Sequence, residues 1–215
     1  MIFEDRKDAG RQLGKELRRL SLRDPLVLGI PRGGVATGAA IAKTIDAELD
    51  VVFAHKLRCP GHPEFAIGAV GEKGIPLFDE ALLHRLGINE HEFLLECQEE
   101  IDEISRRKRL FRWVRPPAEI EGRSVIIADD GIATGSTMLA ALAAIRQRRP
   151  YELIVAVPVV PRNRYEAIAA KCDQLVCLQV ATAFHSVSEF YRSFTAVTDE
   201  QVVKTLRAFA PVGGG

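Results

Sequence analysis

Between Asp129 and Thr137 the chain places two adjacent carboxylates, Asp129 and Asp130, a glycine at Gly135, and hydroxyls on Thr134, Ser136 and Thr137. Glycine lets a backbone approach a ligand closely, and Ser or Thr adds donors beside the main-chain N–H groups, so this part of the turn suits a phosphate. Two acids would repel that phosphate and must face another part of the same ligand. Ribose hydroxyls or a metal-bound diphosphate meet both demands. The chemistry asked for is recognition of a phosphorylated sugar. The flanks say how these groups would be held. Val125-Ile126-Ile127-Ala128 is a short, β-branched apolar run of the kind found in a central parallel strand. Met138 to Ile145 return to apolar spacing at a helical period. The polar turn thus lies between a strand end and a helix start, where unpaired N–H groups and the helix dipole favour an anion.

A second unit of the same kind lies upstream. Leu26-Val27-Leu28-Gly29-Ile30 reads as a buried strand, Pro31-Arg32-Gly33-Gly34 as a turn, and Val35 to Ile45 as an alanine-rich helix. A planar guanidinium beside two glycines suits a diphosphate. Two strand–turn–helix units in one parallel sheet put both turns at its carboxyl edge, where open α/β folds bind ligands. Asp50 to Lys56 is predicted as a third strand, ending in His55, Lys56 and Arg58. His55 reads as packing or solvated rather than catalytic, and Arg58 ranks below Lys56 as a ligand contact.

The run Ile126-Ile127-Ala128-Asp129-Asp130-Gly131-Ile132-Ala133-Thr134-Gly135-Ser136-Thr137 resembles the phosphoribosyl pyrophosphate (PRPP) loop of type I phosphoribosyltransferases. That pattern is an apolar strand, two acids, small or apolar residues, then Thr-Gly-x-Thr. Pro31-Arg32-Gly33-Gly34 resembles the family's pyrophosphate loop, which often holds a non-proline cis peptide, and Lys56 resembles its strand-end lysine. The match departs at Gly131, where the family usually carries a larger apolar residue. The resemblance implies an α/β fold with an open, mostly parallel twisted sheet flanked by helices. It implies one domain over 1–215, with an inserted hairpin and helical lid over 59–117 and a small hood with a C-terminal helix over 180–211. The implied reaction replaces pyrophosphate at C1 of PRPP by a nitrogenous acceptor such as a nucleobase. In it Asp129 and Asp130 hold the ribose hydroxyls and orient Mg²⁺ through water. Ala133, Thr134, Gly135, Ser136 and Thr137 hold the 5′-phosphate, and Arg32, Gly33 and Lys56 the pyrophosphate. Asp129, Asp130, Arg32 and Lys56 are the expected catalytic set. In 6-oxopurine members the residue before Thr-Gly is an aspartate; here it is Ala133, which moves no proton and looks more like the Ala-Thr-Gly of adenine-type loops. A PRPP- or nucleotide-sensing regulator on the same fold is the second reading, and a diphosphatase a lesser one.

The remaining segments frame this site. Asp5 is predicted to cap a first helix with Ala9, Leu13, Leu17 and Leu20 on one stripe. Phe65 to Val70 and Ile75 to Phe78 flank Gly71-Glu72-Lys73-Gly74 as a hairpin. A long helix is expected from Asn89, with Phe93, Cys97, Ile101, Ile104 and Phe111 on one stripe, stopped by Pro116-Pro117. Its basic run, Arg106 to Arg115, is either a solvated helix end or the source of a cation that closes on pyrophosphate. Leu153 to Val157 and Gln174 to Leu178 are further strands, and Thr198 with Gln201 forms a capping box for a last helix. The aromatic stretch from Ala183 to Phe194 either stacks on the acceptor, through Phe184 with Tyr191 in reserve, or closes the core.

Composition narrows the partners. Lys and Arg together number 29, as do Asp and Glu, so no global field favours nucleic acid or an acidic membrane. No apolar run approaches the roughly 18 residues of a membrane span, and Met1-Ile2-Phe3-Glu4-Asp5 lacks a signal-peptide pattern. Cys59, Cys97, Cys172 and Cys177 show no metal-ligand spacing and read as reduced structural thiols. The expectation is a cytoplasmic protein binding PRPP and a small-molecule acceptor, with a homodimer as one assembly open to it.

Overall fold

The computed structural model describes residues 2–59, 62–71, 76–78 and 80–210. Asp5 caps α1 (Arg6–Leu17) by accepting from the Asp8 N–H, and Ala9, Leu13 and Leu17 are buried as the stripe requires. Then follow β1 (Leu26–Gly29), α2 (Gly33–Ile45) and β2 (Glu48–Val51). The middle of the chain holds β3 (Ala54–Cys59), β4 (His62–Gly71), β5 (Pro76–Phe78), α3 (Glu80–Arg85), α4 (Glu90–Glu96) and α5 (Gln98–Arg112). The last third carries β6 (Ser124–Ala128), α6 (Ser136–Arg146), β7 (Glu152–Pro161), α7 (Arg162–Ala169), β8 (Gln174–Ala181) and α8 (Asp199–Ala208). The Thr198–Gln201 capping box opens α8.

Strands β2-β1-β6-β7-β8 form one sheet in that order, parallel throughout, with Gly29 opposite Ala128 where β1 meets β6. Side chains alternate between its faces, and both faces are covered, which explains the continuous apolar runs. Val125, Ile127, Leu153 and Val155 pack with Met138, Leu142 and Ile145 of α6 on one side. Ile126, Ala128, Ile154 and Ala156 pack with Leu13, Leu17 and Ile41 of α1 and α2 on the other. Among the described residues no helix is long and apolar enough to cross a membrane.

Two segments read as continuous in the sequence are divided in the structure. The predicted strand over 50–56 is two strands: β2 ends at Val51, and β3 starts at Ala54 in a separate antiparallel sheet, β3-β4-β5. Val52 packs into the core beside β1 and β6, whereas Phe53 stacks on Phe111 in the cluster formed by α4, α5 and α8. An unbroken apolar run therefore crosses from one core to another. Lys56 lies inside β3 with Ala69 as its backbone partner, not at the carboxyl end of a parallel strand. Its side chain lies outside the described residues, as do the hairpin tip 72–75 and the tail 211–215. The long helix from Asn89 is α4 and α5, with Cys97 between them, and Asn89 caps α4 through the His91 and Glu92 N–H groups.

The basic run of α5 is largely engaged. Arg106 bonds Glu103 and Asp199, the latter at 2.5 Å, linking α5 to α8. Arg112 donates to Asp50 at 2.7 Å and to the Val51 carbonyl, while buried Arg115 pairs with Glu48 and donates to the Phe209 carbonyl. Arg112 and Arg115 thus fasten the end of α5 to β2, neither solvated nor poised to swing. Asp50 is 2% exposed and also accepts from the Ala118 N–H at 2.9 Å. Removing one partner of a buried ion pair costs about 3–5 kcal/mol, because the other charge loses its compensation. Asp50→Ala is expected to lower the unfolding free energy by about 3 kcal/mol in a denaturant titration; a loss below about 1 kcal/mol would show that the base of α5 is held elsewhere.

Candidate active site

The chain leaves β1 for β2 on one side, and later returns to place β6 on the other. Connections diverging from neighbouring parallel strands open a crevice at their carboxyl ends, the usual ligand position in open α/β sheets. Both sequence-predicted turns lie at this crevice, following β1 and β6. They are pressed together. The Ile30 N–H donates to the Ala128 carbonyl at 2.9 Å. A Cβ on Gly33 would stand 1.9 Å from Asp130 Oδ2, and one on Gly34 would stand 2.5 Å from the Ala128 carbonyl oxygen. Only glycine admits that approach. The Pro31–Arg32 peptide is cis, a feature that the resemblance allowed and the sequence could not show. Arg32 is exposed beside it.

At its far end the second turn runs into the N-terminus of α6. Gly135 adopts φ +83°, a left-handed conformation suited to glycine, and precedes α6 without supplying a side-chain cap. The Thr134 and Ser136 hydroxyls lie 3.3 Å apart at the same point. Helices α2 and α6 begin without a side-chain cap, as do α5 and α7, whereas α1, α4 and α8 are capped by Asp5, Asn89 and Thr198. The uncapped N–H groups of α2 and α6 face the crevice. The departure at Gly131 has a local cause: a Cβ there would lie 2.6 Å from Val187 Cγ1. Val187 fills the space that a larger residue would need.

Asp129 and Asp130 stand at the centre. Burial pushes both carboxyls above the usual range; the neighbouring Asp130 charge raises Asp129 further, while the Arg6 hydrogen bond and charge oppose the rise at Asp130. Arg6 is a residue that sequence reasoning missed. Its Nε donates to Asp130 Oδ2 at 2.7 Å, its Nη1 to the Thr195 carbonyl at 2.7 Å, and its guanidinium lies 3.8 Å from the Phe194 ring centre. Tyr191 donates its hydroxyl to the Asp130 carbonyl at 2.6 Å and packs on Phe3 and Phe194. That buried position withdraws it from stacking on a ligand. Phe184 is half-buried, stacks on Phe190 at 5.7 Å, and lines a cavity of about 460 Å³ together with Ala133 and Thr134. Arg32 is near enough to α5 to matter: Glu103 is held low first by the Arg106 hydrogen bond, with Arg107 and Arg32 adding to it. Burial raises the thiols of Cys172 and Cys177, the latter to about 11, which disfavours their thiolate forms.

The acids carry a sign that can be tested. A carboxyl whose pKa is higher folded than unfolded favours the folded state most below its unfolded value, near about 3.9, and loses that advantage as pH rises through the folded value. Asp129→Asn keeps an acceptor for the Asp130 N–H, seen now at 2.8 Å. It is expected to raise the melting temperature at pH 7 and to leave it unchanged near pH 3. Arg6→Gln is expected to do the reverse at pH 7, by exposing the Asp130 charge. Melting curves across pH check both; equal shifts at pH 3 and pH 7 would refute the electrostatic account.

The phosphoribosyl transferase domain model matches residues 3–195. Two Mycobacterium tuberculosis proteins, "Putative phosphoribosyl transferase Rv0571c" and its counterpart MT0597 from a second strain, are each 37% identical over 216 residues. The match covers 99% of this chain and 49% of theirs, so the chain spans about half the length of the curated relatives it matches. The crystal structure of TT1426 from Thermus thermophilus is 40% identical, with a TM-score of 0.88, over 98% of this chain and 100% of that one. AQ2163 from Aquifex aeolicus, 14% identical with a TM-score of 0.50 over 81% of this chain and 74% of its own, shares the fold alone. With its paired turns set at the switch point of the sheet, this chain belongs to the phosphoribosyl transferase domain family.

Proposed function

We propose that the chain transfers 5-phosphoribosyl from PRPP to a nitrogenous acceptor, releasing pyrophosphate. The observation that carries this reading is the apposition of the glycine turn on the acid pair, with Gly33 against Asp130 and Gly34 against Ala128 and Asp129. One ligand spanning both turns would meet a guanidinium and two glycines at one end, carboxylates in the middle, and hydroxyls with uncapped N–H groups at the other. PRPP has that sequence of groups: diphosphate, ribose diol, 5′-phosphate.

In this reading Ala133, Thr134, Gly135, Ser136 and Thr137 hold the 5′-phosphate, and Asp129 and Asp130 accept from the ribose hydroxyls. Arg32, Gly33 and Lys56 receive the pyrophosphate as the C1–oxygen bond breaks and the acceptor nitrogen bonds to C1. The transition state is cationic at the ribose, so fixed carboxylates near the ring and fixed cations at the leaving group lower the barrier without a covalent intermediate. Residues 59–117 act as a lid, a role favoured by the electrostatic pull of Arg32 on Glu103 of α5, and residues 180–211 form a hood over the acceptor. Among the described residues no three acids, histidines or cysteines cluster as a metal cage. Two adjacent half-buried carboxylates do fit a hydrated Mg²⁺ that arrives with the diphosphate, held through water by Asp129 and Asp130; such an ion would supply charge neutralisation to the phosphates. The cytoplasm, expected from the sequence, is the compartment proposed for this activity.

Calorimetry with PRPP and Mg²⁺ tests the binding claim directly. The double change Asp129→Asn with Asp130→Asn removes charged acceptors for the diol, each worth about 1.5–3 kcal/mol, and is expected to weaken PRPP at least about tenfold. Unchanged affinity would remove the ribose assignment. Pyrophosphate release across a panel of bases separates transfer from ligand sensing, since a sensor binds PRPP without releasing it.

A further inference from the structure

The cavity beside the acid turn says what kind of acceptor the protein takes. It is about 460 Å³ in volume, room for one heterocyclic ring with substituents, and it opens between the turn after β6 and the ends of β7 and β8. Ala133 and Thr134 form the wall nearest the sugar site, and the half-buried ring of Phe184, stacked on Phe190, supplies a flat apolar surface. The remaining charged groups on its wall are Arg162 and Arg164; no carboxylate lines it. Neither arginine makes an ion pair among the described residues. This contrasts with Arg6, Arg106, Arg112, Arg115, Arg123 and Arg146, each held by an acid.

From this lining we infer that the acceptor is a planar heterocycle bearing an anionic group such as a carboxylate, read by Arg162 and Arg164 while its ring lies along Phe184. The inference rests on the phosphoribosyl-transfer reading. A guanidinium offers paired N–H donors that match a carboxylate, and it stays charged at any working pH. The acceptor nitrogen forms its bond to C1 as the C1–oxygen bond breaks and the electron pair leaves on pyrophosphate. An acceptor N–H must also lose its proton, yet Ala, Thr, Pro, Arg, Asn and Phe side chains do not accept one at neutral pH. Where the reacting nitrogen carries a proton, that proton leaves on the departing pyrophosphate or to solvent, and two cations on the wall favour an acceptor that carries negative charge.

The test uses matched ring pairs differing in one carboxylate: uracil against uracil-6-carboxylate, and nicotinamide against nicotinate. Each is titrated calorimetrically into the full chain with Mg²⁺, with and without PRPP, and pyrophosphate release is followed in parallel. The carboxylated member is expected to bind at least about tenfold more tightly in at least one pair. The double variant R162Q/R164Q is expected to remove that preference while PRPP affinity stays within about twofold, and R162K/R164K to restore part of it. A neutral ring that binds equally well, no ring binding to the PRPP-loaded chain, or a preference that survives R162Q/R164Q overturns the inference. Inorganic phosphate is the control for a site that reads bare anions. If it competes as strongly as the carboxylated ring and with the same dependence on Arg162 and Arg164, the planar acceptor is ruled out. PRPP binding without a charge preference refutes this inference and leaves the transfer reading standing. A charge preference without PRPP binding does the opposite.

Discussion

Two backbone turns share one narrow space at the switch point of the sheet, and most of the structure follows from that crowding. Because β1 and β6 are parallel neighbours with Gly29 opposite Ala128, the segments leaving them must pass within contact distance. A side chain at Gly34 would meet the Ala128 carbonyl, and one at Gly33 would meet the Asp130 carboxylate. Glycine at these positions is therefore a packing demand before it is a conformational one. The same crowding aims Asp130 at the start of α2, so that acid, glycine turn and helix N-terminus converge at one place.

What the sequence discloses and what it hides divides along the range of the interaction. Periodicity and capping are local, so α1 with Asp5, α8 with Thr198 and Gln201, and the buried strands β1 and β6 are all legible in order of residues. Both glycine-bearing turns are legible too, since their residue types sit within a few positions of each other. Arg6 is not: its partner lies 124 positions away, and nothing around it differs from an ordinary first helical turn. Arg112 with Asp50 hides for the same reason, and a run of arginines reads as a solvated helix end until the partner strand is in place. Val51-Val52-Phe53-Ala54 shows a further limit. Apolar residues announce burial without saying in which core, and here the run divides between two of them.

Arg6 changes the meaning of the acid pair. Two adjacent carboxylates largely withdrawn from water resist ionisation: desolvation is the main cause at both, and the Asp130 charge adds to it at Asp129. An arginine fixed by a backbone carbonyl and an aromatic face holds one of them without filling the crevice. The fixing groups, Thr195 and Phe194, belong to the segment after β8, and Phe3 bridges to Tyr191 in that same segment. The two distal parts of the described chain therefore meet under the site. Their pairing and the orientation of Asp130 are one structural unit.

The charge pattern along the carboxyl edge can then be taken strand by strand. After β1 comes a free-facing arginine, after β6 two acids followed by hydroxyls, and after β7 two more arginines. Strand order makes this a spatial sequence as well, with cations on both flanks and carboxylates in the middle. A ligand complementary to it is hydroxyl-rich at its centre and anionic at its edges. In the proposed reaction, diphosphate at one flank and ribose at the centre would satisfy two of the three zones, and the third would fall to the group that replaces the diphosphate. A neutral acceptor would leave Arg162 and Arg164 facing an uncharged ring, while the other two zones meet groups of complementary character. An anionic acceptor makes the complementarity continuous across the edge.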